Sequence, residues 1–197
     1  MMKSTLRIVS MIALGFVLTS TGCSADIEET VKPGDKMPNF TMKDYEGNEH
    51  TLEQYQGKIV VLEFCSHKCP YSRGADPHIS ELAKSYEDEP VVFLGIDSHK
   101  ATPPEEIKAY AEDKKAYPVL KDVDNEYADK VAATNTPEMY IVDKEGKLAY
   151  RGAYDNRSNP KEKGEKNYTK AAIDDLLAGE EVEQPRVKAW GCTIKRK

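Results

Sequence analysis

The residues best suited to chemistry stand in one short run, Cys65-Ser66-His67-Lys68-Cys69-Pro70-Tyr71-Ser72-Arg73. Cys69 is followed by proline, which suits a first helical position because its missing N–H has no intrahelical role there. Cys69 therefore falls at the N-cap of a helix expected over residues 70–87. A helix N-terminus carries partial positive charge and free amide donors, and both favour thiolate over thiol. His67, Lys68 and Arg73 add positive potential. A thiolate is the species that attacks disulfides and peroxides. The competing reading is an inert, buried thiol.

A nucleophilic cysteine needs a resolving partner or a client. Cys65, four residues earlier, and Cys192, near the C-terminus, are both candidates. Mixed disulfides with outside thiols are the third possibility. Glu63 lies in the apolar run Lys58-Ile-Val-Val-Leu-Glu-Phe64. An acid buried on both faces of a strand is costly without a task or a partner. Burial should raise its pKa and suit it to accept a proton near neutral pH.

The elements that would position these groups alternate along the chain. A hairpin is expected over 39–52, around Glu46-Gly47-Asn48. Buried strands are expected over 58–64 and 91–97, with the Cys69 helix between them. Further segments follow: a helix over 103–115, a short strand over 118–120, a short helix over 125–131, a hairpin over 139–151 and an amphipathic helix over 166–178 closed by Gly179. This βαβ order followed by a hairpin and a helix predicts an α/β fold with a mixed central sheet flanked by helices and an N-terminal β-hairpin extension. Residues 180–197 are charged and contain Pro185, yet they also carry Trp190, Cys192 and Ile194. They read either as a loose tail or as a strap docked on the domain.

The combination resembles the thioredoxin-like superfamily. Val61 to Ser72 matches its strand followed by a Cys-x-x-Cys helix start, with Cys69 on the nucleophilic cysteine, Pro70 after it and Ser72 where the second cysteine would fall. Thr136-Pro137 matches the cis-proline turn that faces the active site. Glu63 matches the buried proton-relaying acid. More closely, the chain resembles the peroxiredoxin-like redoxins of bacteria, of the alkyl hydroperoxide reductase/thiol-specific antioxidant type. These share a Cys-Pro-x-x site, a late helix like Tyr168 to Asp174 and a terminal Gly-Cys-x-Ile/Val-Lys, here Gly191 to Lys195. The resemblance covers roughly residues 33–179. It implies thiol–disulfide exchange or peroxide reduction, no cofactor, and substrate contacts from Tyr71, Ser72 and Thr136. Its substrates would be protein or small-molecule thiols, disulfides or peroxides. Two other classes stand beside this one. Cys65-x3-Cys69-Pro70, with His99 beyond the next strand, resembles the ligand set of copper-delivery thioredoxin-like proteins. A non-catalytic surface binding module is the other.

The N-terminus concerns location. Residues 1–22 hold Lys3 and Arg7, no acid, and an apolar run from Ile8 to Leu18. That run is too short to span a bilayer and reads as an export signal. It ends in Thr-Ser-Thr-Gly-Cys23, which resembles a bacterial lipobox and implies a lipid on Cys23. The expected organisation is a signal over 1–22, a tether over 23–32, a redoxin domain over 33–179 and a tail over 180–197. The expected location is the bacterial cell envelope, anchored to the membrane.

Composition limits the alternatives. The 197 residues carry 28 Lys+Arg against 34 Asp+Glu, a net charge of −6. Loss of residues 1–22 would make it −8. An acidic chain of this kind does not bind nucleic acid through its phosphates. Four cysteines are too few for a disulfide scaffold. With Cys23 lipidated, an odd number remains, which points to an exchanging thiol.

Overall fold

Strand β3 (Ile59–Cys65) is the spine of the molecule, with every residue buried. Its sequence, IVVLEFC, gives both faces something apolar to pack. In the computed structural model, which describes residues 31–100 and 102–196, it is the middle strand of a five-stranded sheet of order β5-β4-β3-β7-β8. The signal segment, Cys23 and most of the tether lie outside the described residues.

Strands β4 (Val91–Asp97) and β5 (Val119–Lys121) run parallel to β3 on one side. Strands β7 (Glu138–Val142) and β8 (Leu148–Gly152) run antiparallel to their neighbours on the other. The sheet is therefore mixed, as the element order implied. The N-terminal hairpin is β1 (Thr41–Lys43) with β2 (Glu49–Thr51). The helices are α1 (Pro70–Ser85), α2 (Pro104–Lys114), α3 (Glu126–Lys130) and α4 (Tyr168–Ala178). Each expected segment is present, with ends shifted by at most two residues.

Alternation along β3 divides the core. Val60, Leu62 and Phe64 join one cluster with Phe40, Tyr127 and Tyr140. Ile59 and Val61 join the opposite cluster with Ile79, Tyr150 and Ile173. Cys65 closes a third, smaller cluster with Ile107 and Val119. Glu63 therefore points to the same face as Cys65, toward α1 and α2.

The tail is a docked strap. Its Pro185 carbonyl accepts from Arg151 N–H at 2.9 Å, and Val187 N–H donates to the Arg151 carbonyl at 3.1 Å, along the open edge of β8. Gly152 permits this approach, because a Cβ there would lie 1.9 Å from the Val187 oxygen. Covering an exposed edge removes a template for unwanted strand pairing. Further on, β9 (Cys192–Thr193) pairs antiparallel with β6 (Asn135–Thr136). Ile194 is buried at 5% exposure in the first core cluster.

Candidate active site

Cys69 is the N-cap of α1, in extended conformation, with Pro70 at the first helical position. Its N–H donates to the Ser66 carbonyl at 3.0 Å, and its carbonyl accepts from Arg73 N–H at 3.0 Å. These bonds fix the sulfur at the strand-to-helix turn. The loop is also tied to α2, where Glu106 accepts from His67 Nε2 at 2.8 Å and lies 3.5 Å from Lys68 Nζ. Ser72 is fully buried, and its hydroxyl accepts from Ser66 N–H at 3.3 Å. It shapes the loop from inside.

The Thr136–Pro137 peptide bond is cis. It brings the Thr136 carbonyl to the Cys69 thiol, which donates to it at 3.0 Å. Two residues that the sequence did not single out hold this turn. Glu138 accepts from the N–H groups of Thr134 and Asn135 at 2.8 and 3.2 Å. Arg151 donates to the other Glu138 oxygen at 2.9 Å and to the Ala132 carbonyl at 2.6 Å. Both side chains are buried, so the ion pair is stiff and desolvated.

Strand pairing puts Cys192 opposite Thr136. Cys192 and Cys69 line the same small cavity at the start of α1. Burial first, then the hydrogen bond to Cys69 and the charge of Cys69, push the Cys192 thiol up to about 11. Cys192 thus holds its proton while lying beside Cys69. No disulfide joins them; Cys65, Cys69 and Cys192 are all free thiols. Gly191, at φ 124°, allows the close approach, since a Cβ there would lie 2.2 Å from the Thr136 oxygen.

Trp190 anchors the strap. Its ring lies 5.6 Å from Tyr71 and 5.1 Å from the Arg157 guanidinium, and its Nε1–H donates to the Asp155 carbonyl at 2.6 Å. Arg157 is held in turn by both Asp155 oxygens at 2.8 Å. Tyr71 is thereby partly covered by the tail.

Cys65 lies elsewhere. It is 4% exposed, and its thiol is pushed well up by burial, against the pull of Lys115. Glu63 is 1% exposed and accepts at Oε2 from Lys115 Nζ and from Tyr117 O–H, each at 2.6 Å. Lys115 Nζ also reaches Asp76 at 2.6 Å. Burial raises the Glu63 pKa, Lys115 opposes and Asp76 adds to the rise. Burial alone would lower Lys115, but Asp76 and Glu63 hold it well above its ordinary value. The sequence marked Glu63 and missed its partners. Asp76 was findable, since it falls on the buried stripe of α1 with Ser72, Ile79 and Ser80.

The alternative copper set does not assemble. Among the described residues no three His, Cys, Asp or Glu side chains converge as metal ligands. His99 borders the Cys69 cavity, whereas Cys65 faces Ile107 and Val119.

Residues 33–151 match the model of the AhpC/TSA family. The chain belongs to the AhpC/TSA family. It is an oxidoreductase with a thioredoxin-like fold. Among curated proteins it is 25% identical to thiol-disulfide oxidoreductase ResA of Geobacillus thermodenitrificans over 148 residues, covering 75% of this chain and 83% of that one. It is 29% identical to ResA of Bacillus cereus over 138 residues, covering 69% and 77%. Among solved structures, an uncharacterized conserved protein from Geobacillus kaustophilus shares 31% identity at a TM-score of 0.77, covering 83% of this chain and 91% of that one. A hypothetical protein from Sinorhizobium meliloti shares 25% identity at 0.79, covering 85% and 96%. No helix among the described residues is long and apolar enough to cross a membrane.

Proposed function

We propose that this chain is an exported thiol–disulfide oxidoreductase in which Cys69 is the nucleophile and Cys192 the resolving thiol. The observation that carries the reading is the placement of Cys192 opposite Thr136, whose carbonyl the Cys69 thiol bonds, so that both sulfurs border one cavity at the start of α1. The Cys69 thiolate attacks a disulfide and releases one thiol. Cys192 then attacks the Cys69 sulfur, its proton leaves with the second thiol, and a Cys69–Cys192 disulfide remains. Two electrons pass from the cysteines to the substrate, and an outside dithiol restores them.

Thr136 and Pro137 position the nucleophile, and Pro70 sets the helix start. Glu63 serves as a buried proton acceptor beneath the site. Its support is the charge count: one Lys115 ammonium faces two carboxylates, so a proton on Glu63 leaves the cluster neutral. The N-terminal segment directs export, and a lipid on Cys23 anchors the protein. Cys23→Ser should move it from the membrane to the soluble envelope fraction; unchanged membrane retention would remove the anchor from this reading.

Peptide mapping without reductant tests the thiol pair. Mild oxidation should link the Cys69 and Cys192 peptides, and Cys192→Ser should leave Cys69 in mixed disulfides. A Cys65–Cys69 linkage, or three free thiols with full exchange activity, would overturn it.

A further inference from the structure

In its docked state the strap occupies a backbone edge beside Cys69, β6, that an extended polypeptide could pair with. β9 is bonded to β6 in antiparallel register, Thr136 with Cys192 and Asn135 with Thr193. Ile194 N–H continues the ladder to the Thr134 carbonyl at 2.9 Å. The strap is fastened on both sides of the thiols. Trp190 is anchored before them. After them, Arg196 bonds Asp129 at 2.6 Å and the Ala133 carbonyl at 2.5 Å. An incoming chain would find the Thr134 and Thr136 carbonyls of this edge already used.

What remains open beside Cys69 is a cavity of about 230 Å³, bordered by Ser66, Lys68, His99, Thr136 and strap residues 192–195. Its size is below the roughly 300–1,000 Å³ of sites that hold drug-sized ligands. Lys68, 3.5 Å from Glu106, and Lys195 stand on its rim.

The geometry points to a size filter: with the strap docked, Cys69 accepts small disulfides, and extended polypeptides are admitted only when the strap leaves the β6 edge. This rests on Cys69 being the nucleophile. In the filtered step Cys69–S⁻ attacks the small disulfide R–S–S–R′. The Cys69–S–S–R bond forms, the S–S bond of the substrate breaks, and R′–S⁻ leaves with its electron pair. The filter differs from a mere resolving role because it concerns which substrate reaches the first step.

Two probes with the same reacting bond separate size from chemistry. One is the mixed disulfide of cysteine with thionitrobenzoate; the other is the same group on an unstructured peptide of about 20 residues. Thionitrobenzoate release reads the first step, in the full chain with Cys192→Ser to stop resolution. Each rate is normalised to the same probe with free glutathione. Docking is read from the fluorescence of Trp190, the single tryptophan.

With the strap docked, the cysteine probe should react at least tenfold faster than the peptide. Gly191→Val, whose side chain clashes with the Thr136 oxygen, and separately Ile194→Lys should red-shift Trp190, raise the peptide rate at least tenfold and lower the cysteine-to-peptide rate ratio by at least the same factor. Equal normalised rates for the two probes while the strap is docked would overturn the filter. So would strap release in either variant with an unchanged ratio. Cys69→Ser should abolish release from both probes. Persistence of release there would instead refute the assignment of the nucleophile.

Discussion

Two polar sites flank the end of β3, and they are built in opposite ways. The Glu63–Lys115–Asp76 cluster lies inside the domain, with side chains only 1–2% exposed, on elements that the fold fixes for its own reasons. The Cys69–Cys192 site is half built by the domain and half by the chain end. Its second thiol arrives on a two-residue strand held by an aromatic anchor, one buried isoleucine and a terminal arginine. The first site can change only its protonation. The second depends on contacts made by a short strap, and the proposed exchange would require Cys192 to move with that strap toward the Cys69 sulfur. Cys65 shows the contrast within the same segment: only four residues before Cys69, it is sealed against Ile107 and Val119.

The largest separation between the two sites should come from Lys115→Met. It leaves two buried carboxylates without a cation, and breaking a buried pair costs about 3–5 kcal/mol. Urea unfolding should show that loss, and the low-pH fall in exchange rate should move to higher pH, because Lys115 no longer holds the Glu63 pKa down. Unchanged stability would mean that the cluster is wetter than its burial indicates.

Ile194→Ala should act on the strap alone. Removing a buried isoleucine side chain costs about 2–5 kcal/mol in a core, and here the loss should fall on docking. Hydrogen exchange at the Ile194 amide, which bonds Thr134, should accelerate without a matching drop in global stability. An equal global loss would make the strap part of the cooperative core.

Titration gives a smaller effect with a defined sign. Docked Cys192 has a pKa of about 11 against an ordinary 9.0. The released strap gives up its proton more readily than the docked one. Docking is therefore complete below pH 9 and weakens as pH rises from 9 toward 11. Alkylation of Cys192 should show a midpoint near 11 in the native chain and near 9 in Ile194→Lys. Identical midpoints would remove the coupling between thiol and strap.

Glu63→Gln should change least. The Lys115–Asp76 pair survives, so stability should hold within about 1 kcal/mol, in the range of one net hydrogen bond. The exchange rate in native protein should fall as pH drops through the raised Glu63 pKa, because the protonated acid no longer accepts. In the variant that limb should vanish. An unchanged pH profile would leave Glu63 a structural partner of Lys115 only.

Much of the fold could be read from residue pattern. IVVLEFC and VVFLGID are continuous apolar runs, and Cys69-Pro70 marks a helix start by the chemistry of proline alone. Glu63 was visible because one acid in such a run contradicts its surroundings. Its partners were not, because Lys115 lies 52 positions away and looks like any lysine after an exposed helix. Asp76 carried a weak signal, an acid on an apolar stripe just before Pro77. Glu138 and Arg151 carried none, since a charge beginning a strand and one ending the next read as solvent-facing.

The cysteines mark the boundary between the two kinds of information. Local sequence, through propensity and period, determined that Cys69 caps a helix and that Cys65 ends a buried strand. It left the tail open between loose and docked, and Cys65 level with Cys192 as partner. Only tertiary structure decided the docking and placed Cys192 rather than Cys65 in the Cys69 cavity, because pairing β9 with β6 depends on contacts between positions more than 50 residues apart. That pairing rests on Gly191 fitting against Thr136, Trp190 against Tyr71 and Arg157, and Ile194 in a core formed by other elements.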